Sequence, residues 1–268
     1  MPTTKTTWFN NYDTQQGNDE MYSLNNGIKP YWNKLLTSFD TLGVTGLTAR
    51  QKDIDWLLSE NGVTYNVYND PQGMHRPWNL NVVPFMLHQN EWAEVEAGLK
   101  QRAELLNLVL KDVYGDRKLI KNGIVPYEVI YGHRGFLRQC SGMELQLEQY
   151  LSIYAADLCR GTDGRLWVVN DRTEAPSGMG YALENRSTTS RILPDLYAEM
   201  KVKRLSGFFQ EFNQMLIDAA PGKKENPNIV ILTPGSHNET YFEHAYMASF
   251  LGYPLVQGND MVVRDGFL

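Results

Sequence analysis

Acidic and amide side chains concentrate at Asp157, Asn170, Asp171, Glu184 and Asn185. Hard cations such as Mg2+ take oxygen ligands, commonly one or two carboxylates completed by water and phosphate oxygens. Asp157, Asn170 and Asp171, opposed across a hairpin, could hold such an ion; the same spacing also permits a plain hydrogen bond between Asp157 and Asn170 at a strand end. Downstream, Pro176-Ser177-Gly178-Met179-Gly180 could offer backbone N–H groups to an anion, as glycine-rich turns do. It is neither a phosphate-binding Walker loop, lacking the Gly-Lys-Ser/Thr ending, nor a G-x-G-x-x-G fingerprint, and a simple turn is the alternative. Arg172 and Arg186 flank it. Each could clamp a carboxylate or phosphate bidentately, or pair at the surface with Glu174 and Glu184. Further on, Thr233–Glu239 lies between a strand and a helix N-terminus, where open α/β sheets take ligands, so Asn238 and Glu239 face either a small anion or nothing. The five histidines show no metal-binding spacing, and Ser177 and Ser236 lack the G-x-S-x-G setting of a hydrolase nucleophile.

The elements that must position these groups follow from periodicity. Glu148–Leu158 and Arg165–Asp171 read as strands, and the intervening Asp163-Gly164 is a strong hairpin signal because both positions accept positive φ. A two-residue turn there sets Asp157 opposite Asn170 with side chains on one face; a longer loop brings Asp171 nearer. Helices are predicted at Lys29–Leu42 and Thr48–Glu60, the second stopped by Asn61-Gly62, both tolerant of the left-handed conformation. A strand over Val63–Tyr68 follows, ended by the turn Asn69–Gly73. Asn90 caps a long helix that ends before Gly115, with Trp92, Val95, Leu99, Leu106, Val109 and Val113 on a core stripe. Further helices fall at Ile192–Met200 and Leu205–Ala219. Beyond the linker Pro221–Pro227, a buried strand (Ile229–Leu232), a helix (Asn238–Leu251, ended by Gly252) and a strand (Leu255-Val256) form a β-α-β unit with a right-handed crossover. Met261–Val263 reads as another strand, followed by Asp265-Gly266, so the chain reads as stopping inside a hairpin, a truncated piece. The expected divisions are an arm (1–28, with Trp8, Phe9, Tyr12 and Tyr22 as docking aromatics), a helical and mixed-sheet portion (29–220) and an incomplete Rossmann-like unit (221–268).

Composition narrows the classes. The 268 residues are 42% hydrophobic, with 6 Trp, 15 Tyr and 10 Phe, enough for a real core. The net charge is −6 and the pI near 5.4, which disfavours nucleic-acid binding. No window approaches the ~18 apolar residues of a membrane helix, and the N-terminus lacks a signal-peptide core. No membrane or nucleic-acid partner is expected, and the cytoplasm is the default location. Cys140 and Cys159 are too few for a disulfide scaffold and read as buried thiols.

The segments VTYNVYNDPQGMHRPW, GHRGFLR, DRTEAPSGMGYALENR and NETYFEHAYMASFLGYPLVQGNDMVVRDG resemble the circularly permuted ATP-grasp family, type 2, related to glutathionylspermidine synthase. The likeness runs over nearly the whole chain. It implies an α/β fold, a mixed sheet flanked by helices with a Rossmann-like unit, and an ADP-forming carboxylate–amine ligase. In such enzymes MgATP phosphorylates a carboxylate and an amine attacks the acyl phosphate. On this resemblance Asp157, with Asn170 or Asp171, lies near Mg2+, and Ser177 and Gly178 line the acyl-phosphate pocket. Arg172, Glu184 and Arg186 orient substrate or phosphate, with Asn185, Asn238 and Glu239 on the substrate side. The family pattern Glu-Asp-Asn is here Asn170-Asp171-Arg172, a departure at the metal ligands. The lysines that grip ATP are expected beyond Leu268, leaving this portion inactive alone. The other reading is a non-catalytic scaffold that docks a peptide or a helical α-E partner protein.

Overall fold

The computed structural model describes residues 19–23, 27–68, 75–143, 145, 149–222, 225–266 and 268. Most of the expected arm, including Trp8, Phe9 and Tyr12, lies outside the described residues, as do the 69–73 turn, Lys223 and Lys224 of the linker, and Glu148. In chain order the elements are α1 (Asn33–Glu60), β1 (Thr64–Asn66), β2 (His75–Pro77), α2 (Gln89–Tyr114), α3 (Lys118–Lys121), α4 (Tyr127–Tyr131), β3 (Ala155–Arg160), β4 (Leu166–Arg172), α5 (Met179–Ile192), α6 (Pro194–Glu199), α7 (Ser206–Asp218), β5 (Ile231–Leu232), α8 (Tyr241–Leu251) and β6 (Leu255–Val256). They gather into two compact units. The first comprises Met1–Met86, Ser177–Asn213 and Asn228–Leu268, the second Leu87–Pro176 and Gln214–Pro227. Among the described residues no helix is long and apolar enough to cross a membrane.

The first unit is built on α1, which buries Leu35, Leu36, Phe39, Leu47, Ile54 and Leu58 at helical spacing. Gly43, at φ 64° and ψ 177°, breaks it next to the predicted end at Leu42, but the helix resumes at once instead of at Thr48; that conformation is almost closed to residues with a Cβ. At its end only Gly62 turns left-handed (φ 65°), while Asn61 stays right-handed. Trp32, Val63, Tyr181, Ile192 and Leu196 complete the core, to which Met21 of the arm also belongs. The strand expected over Val63–Tyr68 is only the three residues of β1, paired antiparallel with β2.

β5 and β6 pair in parallel with α8 between them, and Gly252 ends α8 at φ 75°. These strands have two residues each, so the strand expected at Ile229–Leu232 forms only over its last two residues, and it is not buried, Leu232 being 57% exposed. Pro227, Pro234 and Pro254 bracket them, and proline supplies no ladder donor. Instead of one mixed sheet, the described residues hold three separate two-stranded ladders. Met261–Val263 has no ladder partner among them and forms no strand, although Asp265 and Gly266 both take positive φ.

In the second unit α2 is capped not by Asn90 but by His88, whose Nδ1 accepts the Asn90 N–H at 3.3 Å. Of the predicted stripe only Val113 is buried. The others are half-buried. Cys159 is exposed and Cys140 half-buried, both free, contrary to the buried thiols expected.

β3 and β4 form the antiparallel hairpin, with Asp157 opposite Asn170. The route to that register differs from the prediction. Gly161 N–H donates to Arg165 O at 2.8 Å and Gly164 N–H to Gly161 O at 3.0 Å. The loop is therefore three residues, Thr162-Asp163-Gly164, with Gly164 left-handed at φ 78°. Alone, this would set Asp157 against Val169. A bulge at Val169, between the pairs Leu158–Val168 and Asp157–Asn170, restores the expected partner.

Candidate functional site

Side chains alternate faces along a strand, so Asn170 and Arg172 share one face of β4 with Asp157 while Asp171 points to the other. On the first face Asp157 Oδ2 accepts from Asn170 Nδ2 at 3.2 Å, from Arg172 Nε at 3.0 Å and from the second Arg172 amine at 2.9 Å. The Arg172 guanidinium, with help from Asn170, holds the Asp157 carboxyl below its ordinary value. On the opposite face Arg102, from α2, grips Asp171 through Nε at 3.0 Å and through its terminal amine at 2.5 Å. Tyr154 OH adds a third donor to Asp171 at 2.6 Å. Arg102 first, then Tyr154, pulls the Asp171 carboxyl down.

A cation needs carboxylate lone pairs that converge. Here the two carboxylates diverge across the ladder, each is already served by protein donors, and Asn170 presents its NH2 end. As arranged, Asp157, Asn170 and Asp171 do not fit a divalent metal. Among the described residues no group of three or more His, Cys, Asp or Glu fits one either.

In the first unit the Ser177–Gly180 turn does receive an anion, but the anion belongs to the protein. Glu243, in the first turn of α8, places its carboxylate at the N-terminus of α5. Gly178 N–H reaches its two oxygens at 2.9 and 2.7 Å, and Gly180 N–H reaches Oε2 at 3.0 Å. These are the donors a helix start leaves unpaired, and a carboxylate there also meets the positive end of the helix dipole. Gly178, at φ 122°, supplies the turn. Gly180 supplies the clearance, since a Cβ there would lie 2.9 Å from Glu243 Cγ. Glu243 is 5% exposed, and burial raises its carboxyl above the ordinary value while the backbone donors pull it back. The N–H groups suspected of serving an acyl phosphate are thus engaged, and Ser177 beside them is exposed.

Glu184 is buried within α5. It accepts from Asn61 Nδ2 at 2.6 Å and from Thr188 Oγ1 at 3.3 Å, tying the end of α1 to α5. Tyr246 of α8 hydrogen-bonds it too, and burial, with the Glu184 charge, pushes that phenol up to about 12. Asn185 Oδ1 accepts from Trp78 Nε1 at 2.8 Å. Arg186 is half-buried, with no hydrogen bond or ion pair among the described residues.

The 233–240 loop is held by Asn66, whose Nδ2 donates to Ser236 O at 3.1 Å and Asn238 O at 2.7 Å. Asn66 N–H donates to Glu239 O at 2.9 Å. Tyr65 OH donates to Glu239 Oε2 at 3.2 Å, while Asn238 Oδ1 accepts from Thr240 N–H at 3.1 Å. His244 bridges Thr233 and Thr240 from within α8, and burial lowers its pKa. Sequence reasoning missed Glu243, Asn66 and Arg102. The two nearby glycine N–H groups were a usable signal that some anion is required; nothing local named which one.

The circularly permuted ATP-grasp type 2 family model matches residues 84–268. An uncharacterized protein of Mycobacterium tuberculosis is 36% identical over 260 residues, covering 94% of this chain and 29% of that protein. An uncharacterized protein of Synechocystis is 34% identical over 257 residues, 96% of this chain and 53% of that protein. One of Mycobacterium leprae is 30% identical over 247 residues, 92% of this chain and 43% of that protein. The chain thus spans from under a third to about half of the length of these relatives. With the match covering most of its length, the chain belongs to the circularly permuted ATP-grasp type 2 family.

Proposed function

We propose that this chain is the N-terminal portion of an ATP-dependent, ADP-forming ligase that joins a carboxylate to an amine through an acyl phosphate. The family match over residues 84–268 carries the reading. In the first unit, the α5 start and the loop that precedes α8 supply the substrate side. Glu243 fixes the Gly178 turn and leaves the Ser177 hydroxyl exposed, and Arg186 keeps an unspent guanidinium for a carboxylate or phosphoryl oxygen. Asn238 and Glu239 lie on a loop stiffened by Asn66, so their backbone is placed before any ligand arrives. Glu184 and Asn185 act through packing, holding α5 against α1 and Trp78. When bound, ATP with its metal supplies the activating phosphoryl group. No metal step is assigned to Asp157, Asn170 or Asp171.

The test is hydroxylamine trapping with the full polypeptide that its gene encodes, since hydroxylamine converts an acyl phosphate to a hydroxamate. The expected result is ADP release and hydroxamate that both depend on an added carboxylic acid. Release of AMP, or ADP release indifferent to the acid, would overturn the acyl-phosphate route. The engaged carboxylates of the β3–β4 hairpin favour a second reading, a binding scaffold that docks a peptide or a helical partner. Complete absence of nucleotide turnover across a panel of acids and amines would select it.

A further inference from the structure

We propose that the guanidinium of Arg172 permanently takes the cation position on Asp157, so that the β3–β4 hairpin works without a divalent metal. The family reading supplies the expectation of a metal here, and the hairpin geometry supplies the answer.

Three N–H donors converge on one oxygen, Asp157 Oδ2: two from Arg172 and one from Asn170. A divalent ion bonded to that oxygen would compete with the three N–H donors already on it and would meet the guanidinium charge within ~4 Å. Oδ1 remains, but a single monodentate oxygen is a poor start for Mg2+, which demands near-octahedral coordination. The ladder positions around Asp157 on this face bring no second carboxylate: Ala155, Asn170 and Arg172 stand there. The nearest acidic residue in the strand, Asp171, is on the other face and tied to Arg102 and Tyr154. Asn170 donates its NH2 to Asp157, whereas a metal ligand would have to present its amide oxygen.

The arrangement therefore has the charge balance of a filled metal site, with a side chain as the cation. A guanidinium differs from Mg2+ in one testable respect: it does not leave on chelation and cannot be exchanged for another ion. Its third nitrogen makes no hydrogen bond among the described residues. The fixed positive charge thus keeps the two N–H groups of that nitrogen for an anionic oxygen.

The experiment is Mn2+ titration of the purified chain, followed by paramagnetic broadening of backbone amide signals. In the unmodified protein, signals of 155–160 and 166–172 should broaden no more than those of other exposed acidic stretches. Arg172→Asp should broaden them selectively and bind Mn2+ at least about tenfold more tightly, and adding Asp157→Asn should abolish the gain. Arg172→Asn, which removes the cation without adding charge, should fall between. The side chains of Asp157 and Arg172 are 42% and 45% exposed, so these substitutions empty no core.

Selective broadening in the unmodified protein that Asp157→Asn removes would overturn the proposal. So would an Arg172→Asp protein as silent as the parent, since the guanidinium would then not be what excludes the ion. No nucleotide enters the measurement. A failed hydroxamate assay removes the ligase reading and leaves this result standing.

Discussion

At the scale of single residues, the buried carboxylate of Glu243 and the half-exposed carboxylate of Asp157 respond oppositely to pH. Arg172 depresses the Asp157 value, so its contribution to stability is present above the ordinary 3.8 and lost as pH falls through the depressed value. Its exposure keeps that contribution small. Burial raises the Glu243 value above its ordinary 4.5, so its contribution is complete below 4.5 and is lost as pH rises through the folded value. The Tyr181 phenol, itself pushed up by burial, also feels the Glu243 charge. Glu243→Gln cannot titrate, yet its amide oxygen still accepts one of the glycine N–H bonds. We expect the stability of the parent, relative to this variant, to decline as pH rises from below 4.5 towards neutrality in urea denaturation. A difference that stays flat, or grows with pH, would show that the backbone donors outweigh burial. Glu243→Ala should cost about 1–3 kcal/mol by leaving buried N–H donors unmet.

At the scale of elements, a glycine does in α1 what packing cannot. Gly43 has open space where a Cβ would stand, so Gly43→Ala meets no clash; its cost is conformational, at φ 64°. We expect a loss of about 1–3 kcal/mol, read as a lower denaturation midpoint with unchanged slope. A neutral or stabilised variant would mean that α1 gains by running straight through. The break itself was legible, because the apolar spacing stops near Leu42 and resumes after Thr48. The hairpin register was legible for a less secure reason. Alternation and the Asp-Gly pair pointed to Asp157 opposite Asn170, but the loop is one residue longer than predicted and the Val169 bulge compensates. Neither departure has a local signature strong enough to read, and either alone would have paired Asp157 differently. The Glu243 contact was illegible because it joins positions 65 residues apart. An acidic residue in a first helical turn ordinarily serves its own helix, and only the tertiary fold brings it to another. The exposed flanks of α2 repeat the lesson, since a periodic stripe shows which side can pack and not how much arrives to cover it.

At the scale of the whole molecule, the balance of charge limits what this portion can do with a nucleotide. The chain carries a net charge of −6. Several of the arginines in its second unit are already spent on carboxylates: Arg172 on Asp157, Arg102 on Asp171 and Arg160 on Glu91. A triphosphate needs several cationic donors arranged around its oxygens. On the ligase reading those donors come from polypeptide such as the Synechocystis relative carries in addition, since this chain matches 53% of it. Calorimetric titration with ATP should therefore give no saturable heat for the 268-residue chain, corresponding to a Kd weaker than about 1 mM. The longer relative should bind measurably tighter under the same conditions. Micromolar binding by the chain itself would place a nucleotide clamp within these residues and overturn the division of labour. Silence from both proteins would strike instead at the ligase reading, because a shared fold does not oblige a shared chemistry. The two failures differ in which protein gives heat, so one titration series separates a misplaced clamp from a binding scaffold.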